Sequence, residues 1–157
     1  MNLKENQYFG IITESLRTEN FTISMTNHSA NSNISLHAHN KPYLCLLVSG
    51  TYKEESNISD IISQGEVLYR VANYEHSNSF SDKGGLCLNI EMNNYEQFMA
   101  LNEFHLPIKV SKQKGVIELY KLLYGLKQGL PNDIINIYCY ESMIAVVNMF
   151  NGKGDLN

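Results

Sequence analysis

The chain has 157 residues, with 12 Lys and Arg against 16 Asp and Glu, a formal charge of -4. That balance lacks the concentrated cationic surface needed to grip a phosphate backbone, so nucleic acid is excluded as a direct partner of this segment. Apolar residues at 43% and charged residues at 18% exclude a disordered chain, and the length fits one domain with a genuine core.

In chain order, residues 1 to 9 are a polar lead-in. Between Gly10 and His28, the β-prone pieces Ile11 to Thr13 and Phe21 to Met25 alternate apolar with polar around the turn-like Arg17 to Asn20, which predicts two antiparallel strands. His28 to Asn33 has loop chemistry. From Ile34 the chain extends again, and Tyr43 to Val48 reads as a core strand closed by a turn at Ser49-Gly50. Glu54 to Asp60 is expected as a polar crossing, Ile61-Ile62 as a short strand, and Val67 to Val71 as the next strand, with a turn at Asn73 to Glu75 delivering His76. Ser81 to Gly85 reads as a strong turn. After it, Leu86, Leu88, Ile90 and Met92 alternate with Cys87, Asn89 and Glu91, and the Leu/Ile side is expected to be the buried one.

Beyond Met92 the apolar period lengthens. Tyr95 to Leu101 is compatible with a short helix and Pro107 to Val110 with an extended piece. Ser111 is expected as the N-cap of an amphipathic helix carrying Val116, Leu119, Leu123 and Leu126 up to Gly129. Leu130 to Asp133 breaks the pattern, and Ile134 to Phe150 forms a second helix, apolar around much of its girth and in need of burial on more than one side. Asn151 to Asp155 reads as the start of a linker. Cys45, Cys87 and Cys139 are odd in number with no C-x-x-C pair, as in a reduced cytosolic chain. The start lacks an apolar signal core, and no apolar run nears the ~18 residues of a membrane span. A cytoplasmic protein without a membrane partner is expected.

Side chains alternate faces along an extended strand, so His37 and His39 share one face and a single ion or ligand can meet both. His76 arrives after a second Gly-led strand. These stretches resemble the two sequence motifs of the cupin superfamily. In the first, His37, His39 and Gly50 match and Tyr43 replaces the Glu; in the second, Gly65 and His76 match while Val71, Asn73 and Phe80 replace Pro, Gly and Asn. The barrel-then-helix-pair order over residues 10 to 150 is similar to the N-terminal effector-binding domain of AraC-family transcriptional regulators.

The resemblance implies a mainly β fold with C-terminal helices: a cupin-like jelly-roll barrel over 1–110, followed by an antiparallel helix pair and the start of a linker over 111–157. It implies a sensing and dimerising role, with a sugar or other small polar metabolite as effector. DNA would be reached only through a C-terminal helix-turn-helix domain that does not lie within this segment. Strand parity adds Tyr43, Cys45 and Leu47 to His37 and His39, and Asn78 and Phe80 to His76, as walls of a pocket or as ordinary core filling. His37, His39 and His76 could ligate a divalent metal, or be pocket histidines left from a metal-binding ancestor; no other cofactor and no catalytic residue is called for. Tyr69 and Arg70 lie on opposite faces of their strand, and whichever points inward is a candidate for orienting a hydroxyl or carboxylate ligand; Arg70 is expected as a solvated surface charge. A homodimer would use Val116, Leu119, Leu123, Leu126, Ile137, Tyr138, Ile144 and Val147. The rivals are a metal-dependent cupin enzyme of dioxygenase or isomerase type and a stand-alone binding module.

Overall fold

A computed structural model of the chain describes residues 1–3, 9–56, 59–96 and 111–152. Among them run β1 (Asn2–Leu3), β2 (Ile11–Arg17), β3 (Phe21–His28), β4 (Asn33–His39), β5 (Tyr43–Glu55), β6 (Ser59–Ser63), β7 (Glu66–Arg70), β8 (His76–Met92) and β9 (Ser111–Lys114), then helices α1 (Ile117–Lys127) and α2 (Asn132–Gly152). The fold is the expected one, a mainly β cupin-like jelly-roll barrel followed by two helices.

Two long strands organise the barrel. β5 and β8 pair antiparallel from Tyr43↔Glu91 to Glu55↔Ser77. The first part of β8 also pairs with β4 and its later part with β3, while β5 pairs with β7 in its first part and β6 in its later part. Each long strand therefore changes partners midway along its length and bends there. The bend falls where Gly50, at φ +90, meets Gly85, between register shifts on either side. A Cβ on Gly50 would run into the Gly84 carbonyl, so the close crossing requires glycine. This corrects two expected turns. Ser49-Gly50 and Ser81 to Gly85 are bends within continuous strands, because the glycines are used for close backbone approach rather than for reversal. Glu54 likewise lies in β5, paired with Asp60 of β6, and not in a crossing.

The central strands are buried on both faces. Tyr43, Cys45, Leu47, Tyr52, Phe80 and Cys87 point into the barrel with Ile34, Ile62 and Leu68. Leu44, Leu46, Leu88, Ile90 and Met92 point outward with Phe21, Ile23, Met25, Val67 and Tyr69, and there meet Val116, Leu119, Leu122, Ile135, Cys139, Met143 and Val146 from the helical end. Cys87 and Asn89 thus line the interior and Glu91 is buried too, which corrects the expectation that their side of β8 is solvent-facing. The helices cover the other side, so both faces are removed from water.

α1 begins at Ile117, after Val116 and with no side-chain cap bond. The expected N-cap at Ser111 is instead part of β9, which runs antiparallel to β7 from Tyr69↔Ser111 to Glu66↔Lys114. Pairing satisfies the edge backbone of β7, which a helix there would have left open. The expected short helix over 95–101 and the extended piece over 107–110 fall largely outside the described residues, as does the linker beyond Gly152.

α1 and α2 run antiparallel: Lys121 bonds Glu141 at 3.1 Å, and Gly125 lies against Tyr138. The start of α2 is tied to the β2–β3 turn, where Thr18 Oγ1 and the Asn20 N–H both donate to Asn136 Oδ1, at 2.7 and 3.1 Å. Val116, Leu119, Leu123 and Val147 are buried within a single copy, which corrects their assignment to a dimer interface. Val116, Leu119 and Leu123 belong to the outer core over the sheet. Leu126, Tyr138 and Ile144 are half-buried, and Ile137 is exposed. No helix among the described residues is long and apolar enough to cross a membrane.

Candidate metal centre

β4 holds His37 and His39 two residues apart on one face, and the register His37↔His76 across the β4–β8 pair sets the third imidazole beside them. Ring centroids are 4.3 Å apart for His37–His76, 5.4 Å for His37–His39 and 6.1 Å for His39–His76. One ligand atom from each residue lies within 4.8 Å of the other two. All three side chains are buried.

Backbone carbonyls set the tautomers. His37 Nδ1 bonds Ser35 O at 2.9 Å and His76 Nδ1 bonds Tyr74 O at 3.1 Å. A carbonyl can only accept, so each Nδ1 carries the proton and each Nε2 keeps its lone pair. Burial pushes His39 down to about 3 and His76 down to about 2 and lowers His37, and the Arg70 guanidinium adds to the shift in all three. The imidazoles are neutral at physiological pH, the state a metal requires.

This donor set fits a metal ion. Three neutral imidazoles suit zinc, nickel, copper or iron and leave a coordination position open, and the ligand atoms, within 4.8 Å of one another, would draw together to reach the ~2.0–2.1 Å of a metal–imidazole bond. Tyr43, in the place of the cupin Glu, lies with its ring 4.5 Å from His39. Burial raises its phenol well above the ordinary value, so it stands there neutral and offers no anionic oxygen.

Arg70 is 2% exposed, which corrects its assignment to the surface. It pairs with Tyr43 across β5–β7 and therefore shares that residue's inward face. Its Nε donates to Glu54 Oε1 at 3.1 Å, Nη1 to the Tyr43 hydroxyl at 3.1 Å, and Nη2 to the Tyr52 hydroxyl at 2.8 Å and to Glu54. The guanidinium also sits 5.3 Å from the centre of the Tyr43 ring. A buried charge persists only when paired and hydrogen-bonded, and Glu54 with the two tyrosines meets that need. Sequence reasoning missed this network, although the Tyr52-x-Glu54 spacing on one strand face was its readable signal.

The interior cavity is small, about 30 Å3. Of the expected pocket residues, His37, His39, Tyr43, Cys45, His76, Asn78 and Phe80 line it; Leu47 is fully buried nearby but does not. Further walls come from Phe9, Thr26, His28, Ile34, Tyr52, Arg70, Cys87 and Asn89. Phe9 meets the His37 ring edge-on at 5.0 Å, and His28, expected in a loop, stacks on Phe80 at 4.3 Å. A cavity needs roughly 10–15 Å3 to hold a water, so this one takes an ion and a water-sized ligand, whereas sites for small organic molecules run to ~300 Å3 or more. Cavities of about 360 and 420 Å3 lie outside the barrel, one between β2–β3 and the α1–α2 loop and one between the two helices.

No family model and no curated protein matches the sequence. Among solved structures, the chain is similar to a cupin domain from Bordetella pertussis Tohama I, at 18% identity and a TM-score of 0.46, over 53% of this chain and 92% of that one. It is similar to KdgF from Halomonas sp., at 10% identity and a TM-score of 0.47, over 54% and 80%. It is also similar to oxalate decarboxylase from Bacillus subtilis, which has Mn(II) centres, at 15% identity and a TM-score of 0.44, over 75% of this chain and 31% of that one. At these identities and TM-scores the likeness carries no argument about what this chain does. What the centre can do follows from its own side chains, three neutral imidazoles able to hold one divalent ion.

Proposed function

We propose that this chain is the sensing and dimerising part of an AraC-type transcriptional regulator, in which a helix-turn-helix domain outside these 157 residues contacts DNA. The observation that carries this reading is the double duty of β5 and β8. Tyr43 and Cys45 face the cavity while Leu44 and Leu46 join the outer core that includes the helices; Cys87 and Asn89 face the cavity while Leu88 and Ile90 join that same core. A ligand that alters the interior therefore acts on the strands that position the helices. It shifts that balance by its differential affinity for the two arrangements. The 30 Å3 chamber favours a metal ion with a water-sized partner as the first ligand; a sugar or other small polar metabolite would require the barrel to open.

Thermal melts with zinc, nickel or cobalt and with a panel of sugars test the reading in the wild type and in His39→Ala. At a hundredfold excess over Kd a ligand adds about 2.7 kcal/mol, which for a chain of this size is a rise of about 5–10 °C, lost in the variant. No shift with any ion or sugar removes the sensing role. A helix-turn-helix pair encoded in frame after Asn157 would support the regulator over a stand-alone module.

The outward side of the helix pair carries the proposed homodimer contact. Ile117 is 77% exposed, Tyr124 65% and Ile137 50%, with Tyr120 beside them. Tyr124→Glu is expected to convert a dimer to a monomer in sedimentation velocity without lowering the melting temperature; a wild type that sediments as a monomer overturns this contact.

A metal-dependent cupin enzyme is the second reading, favoured by the converging histidines. Against it, the chamber leaves no space for an organic substrate beside the ion. Substrate turnover by the metal-loaded chain, abolished in His39→Ala, would favour it.

A further inference from the structure

We infer that Cys45 and Cys87 form a redox modification site, in which a small peroxide oxidises the pair to a disulfide joining β5 to β8. Both are free thiols, both are buried, and both line the interior cavity. The register Cys45↔Asn89 and Leu47↔Cys87 makes them diagonal neighbours on the inward face of one antiparallel strand pair. Each thiol is the first influence on the other's acidity, as befits side chains in reach of one another.

The pair is asymmetric. The Cys87 thiol beside it and then the Arg70 guanidinium outweigh burial and hold Cys45 below the ordinary thiol value. Cys87 is held well above it, by Cys45 beside it and then by burial. The thiolate is the nucleophile, so Cys45 attacks first and Cys87 resolves. Hydrogen peroxide is little larger than water and is of a size for a cavity of about 30 Å3.

The Cys45 thiolate attacks one peroxide oxygen, the O–O bond breaks, and the leaving hydroxide takes a proton to become water, leaving a sulfenic acid. Cys87 sulfur then displaces the sulfenic hydroxyl, which leaves as a second water with the Cys87 proton. Two thiols are oxidised by two electrons and one peroxide is reduced to two waters. A disulfide requires Cβ atoms ~3.8 Å apart, closer than an ordinary diagonal strand pair, so closing it draws β5 against β8. Leu44, Leu46 and Leu88 of the same strands belong to the outer core that includes the helices, so the strain reaches outside the barrel.

The test treats the reduced, metal-free full chain with hydrogen peroxide and follows intact mass and peptide maps. The expected result is loss of two hydrogens, a Cys45–Cys87 crosslink restored by dithiothreitol, and a change in tyrosine near-UV dichroism. In Cys87→Ser, Cys45 should stop at a sulfenic acid that dimedone captures, and Cys45→Ser should leave Cys87 reduced. Cys139, whose thiol is raised by burial in the outer core, is the internal reference. Peroxide that leaves both thiols reduced in the folded chain, or that oxidises Cys139 as fast as Cys45, overturns the site. Because no metal or effector is present, the outcome is independent of the sensing role.

Discussion

Lowering the pH from 7 to 5 is expected to unfold this chain or bring it close to unfolding. Burial pushes His28 down to about 4, His39 to about 3 and His76 to about 2, and lowers His37 as well, from an unfolded value of 6.5. Above pH 6.5 neither state is protonated at these sites, and the folded chain has its full stability. As the pH falls through 6.5 the unfolded chain takes up protons that the folded chain refuses, and stability drains away down to the folded values. At pH 5 each such imidazole costs about 2 kcal/mol, so His28, His39 and His76 together cost roughly 6 kcal/mol. A whole domain has only about 5–15 kcal/mol to lose. The melting temperature followed by circular dichroism should fall by about 15 °C between pH 7 and 5. Saturating zinc should delay the fall, since a bound ion occupies the nitrogen a proton would take. A melting temperature that stays level across this range would mean that the imidazoles are hydrated, and the closed chamber would not stand.

The second large effect concerns the buried ion pair. Arg70→Met leaves the Glu54 carboxylate buried without its cation, and Glu54→Gln leaves the guanidinium without its anion. Breaking a buried pair from either side costs about 3–5 kcal/mol, because the remaining charge is stranded in a medium that cannot solvate it. The double variant Glu54→Leu with Arg70→Met removes both charges and should cost distinctly less than the sum of the single changes, since the two groups occupy one network. Urea unfolding measures all three. Should Arg70→Met cost under about 1 kcal/mol, the pair is exchanging with solvent and does not set the chamber floor.

The network also has a bearing on ligand choice. Arg70 lowers all three imidazoles electrostatically, so it also opposes a divalent cation there, and Glu54 offsets this by pairing with it. The site is left with neutral nitrogens and no carboxylate from Tyr43's position. Such a donor set favours borderline-soft ions over hard ones such as magnesium or calcium.

Much of this was legible in the chain. The β2–β3 hairpin, the core strand from Tyr43 and the long apolar helix near Ile134 to Phe150 follow from local periodicity, and the folded protein has all three. The shared face of His37 and His39 is equally local, since direction on a strand depends only on parity. The glycines misled because turn and bulge use the same left-handed backbone. Only the partner strand, Gly85 against Gly50, tells a reversal from a close crossing. The α1 start misled because β7 offered Ser111 to Lys114 a pairing edge that no local signal announces.

The sequence by itself determined which side chains travel together: Cys87 with Asn89 and Glu91, Leu88 with Ile90 and Met92, Tyr52 with Glu54. Tertiary structure alone decided which set turned toward the histidines. Once the helices covered the Leu/Ile side of β8, the polar set was left to face inward, and Arg70 could be buried there because Glu54, Tyr43 and Tyr52 were brought to it from elsewhere in the chain. Parity is a property of a few bonds, whereas burial is a property of whatever packs on the far side. That is why the first could be read along the chain and the second appeared only when distant segments met.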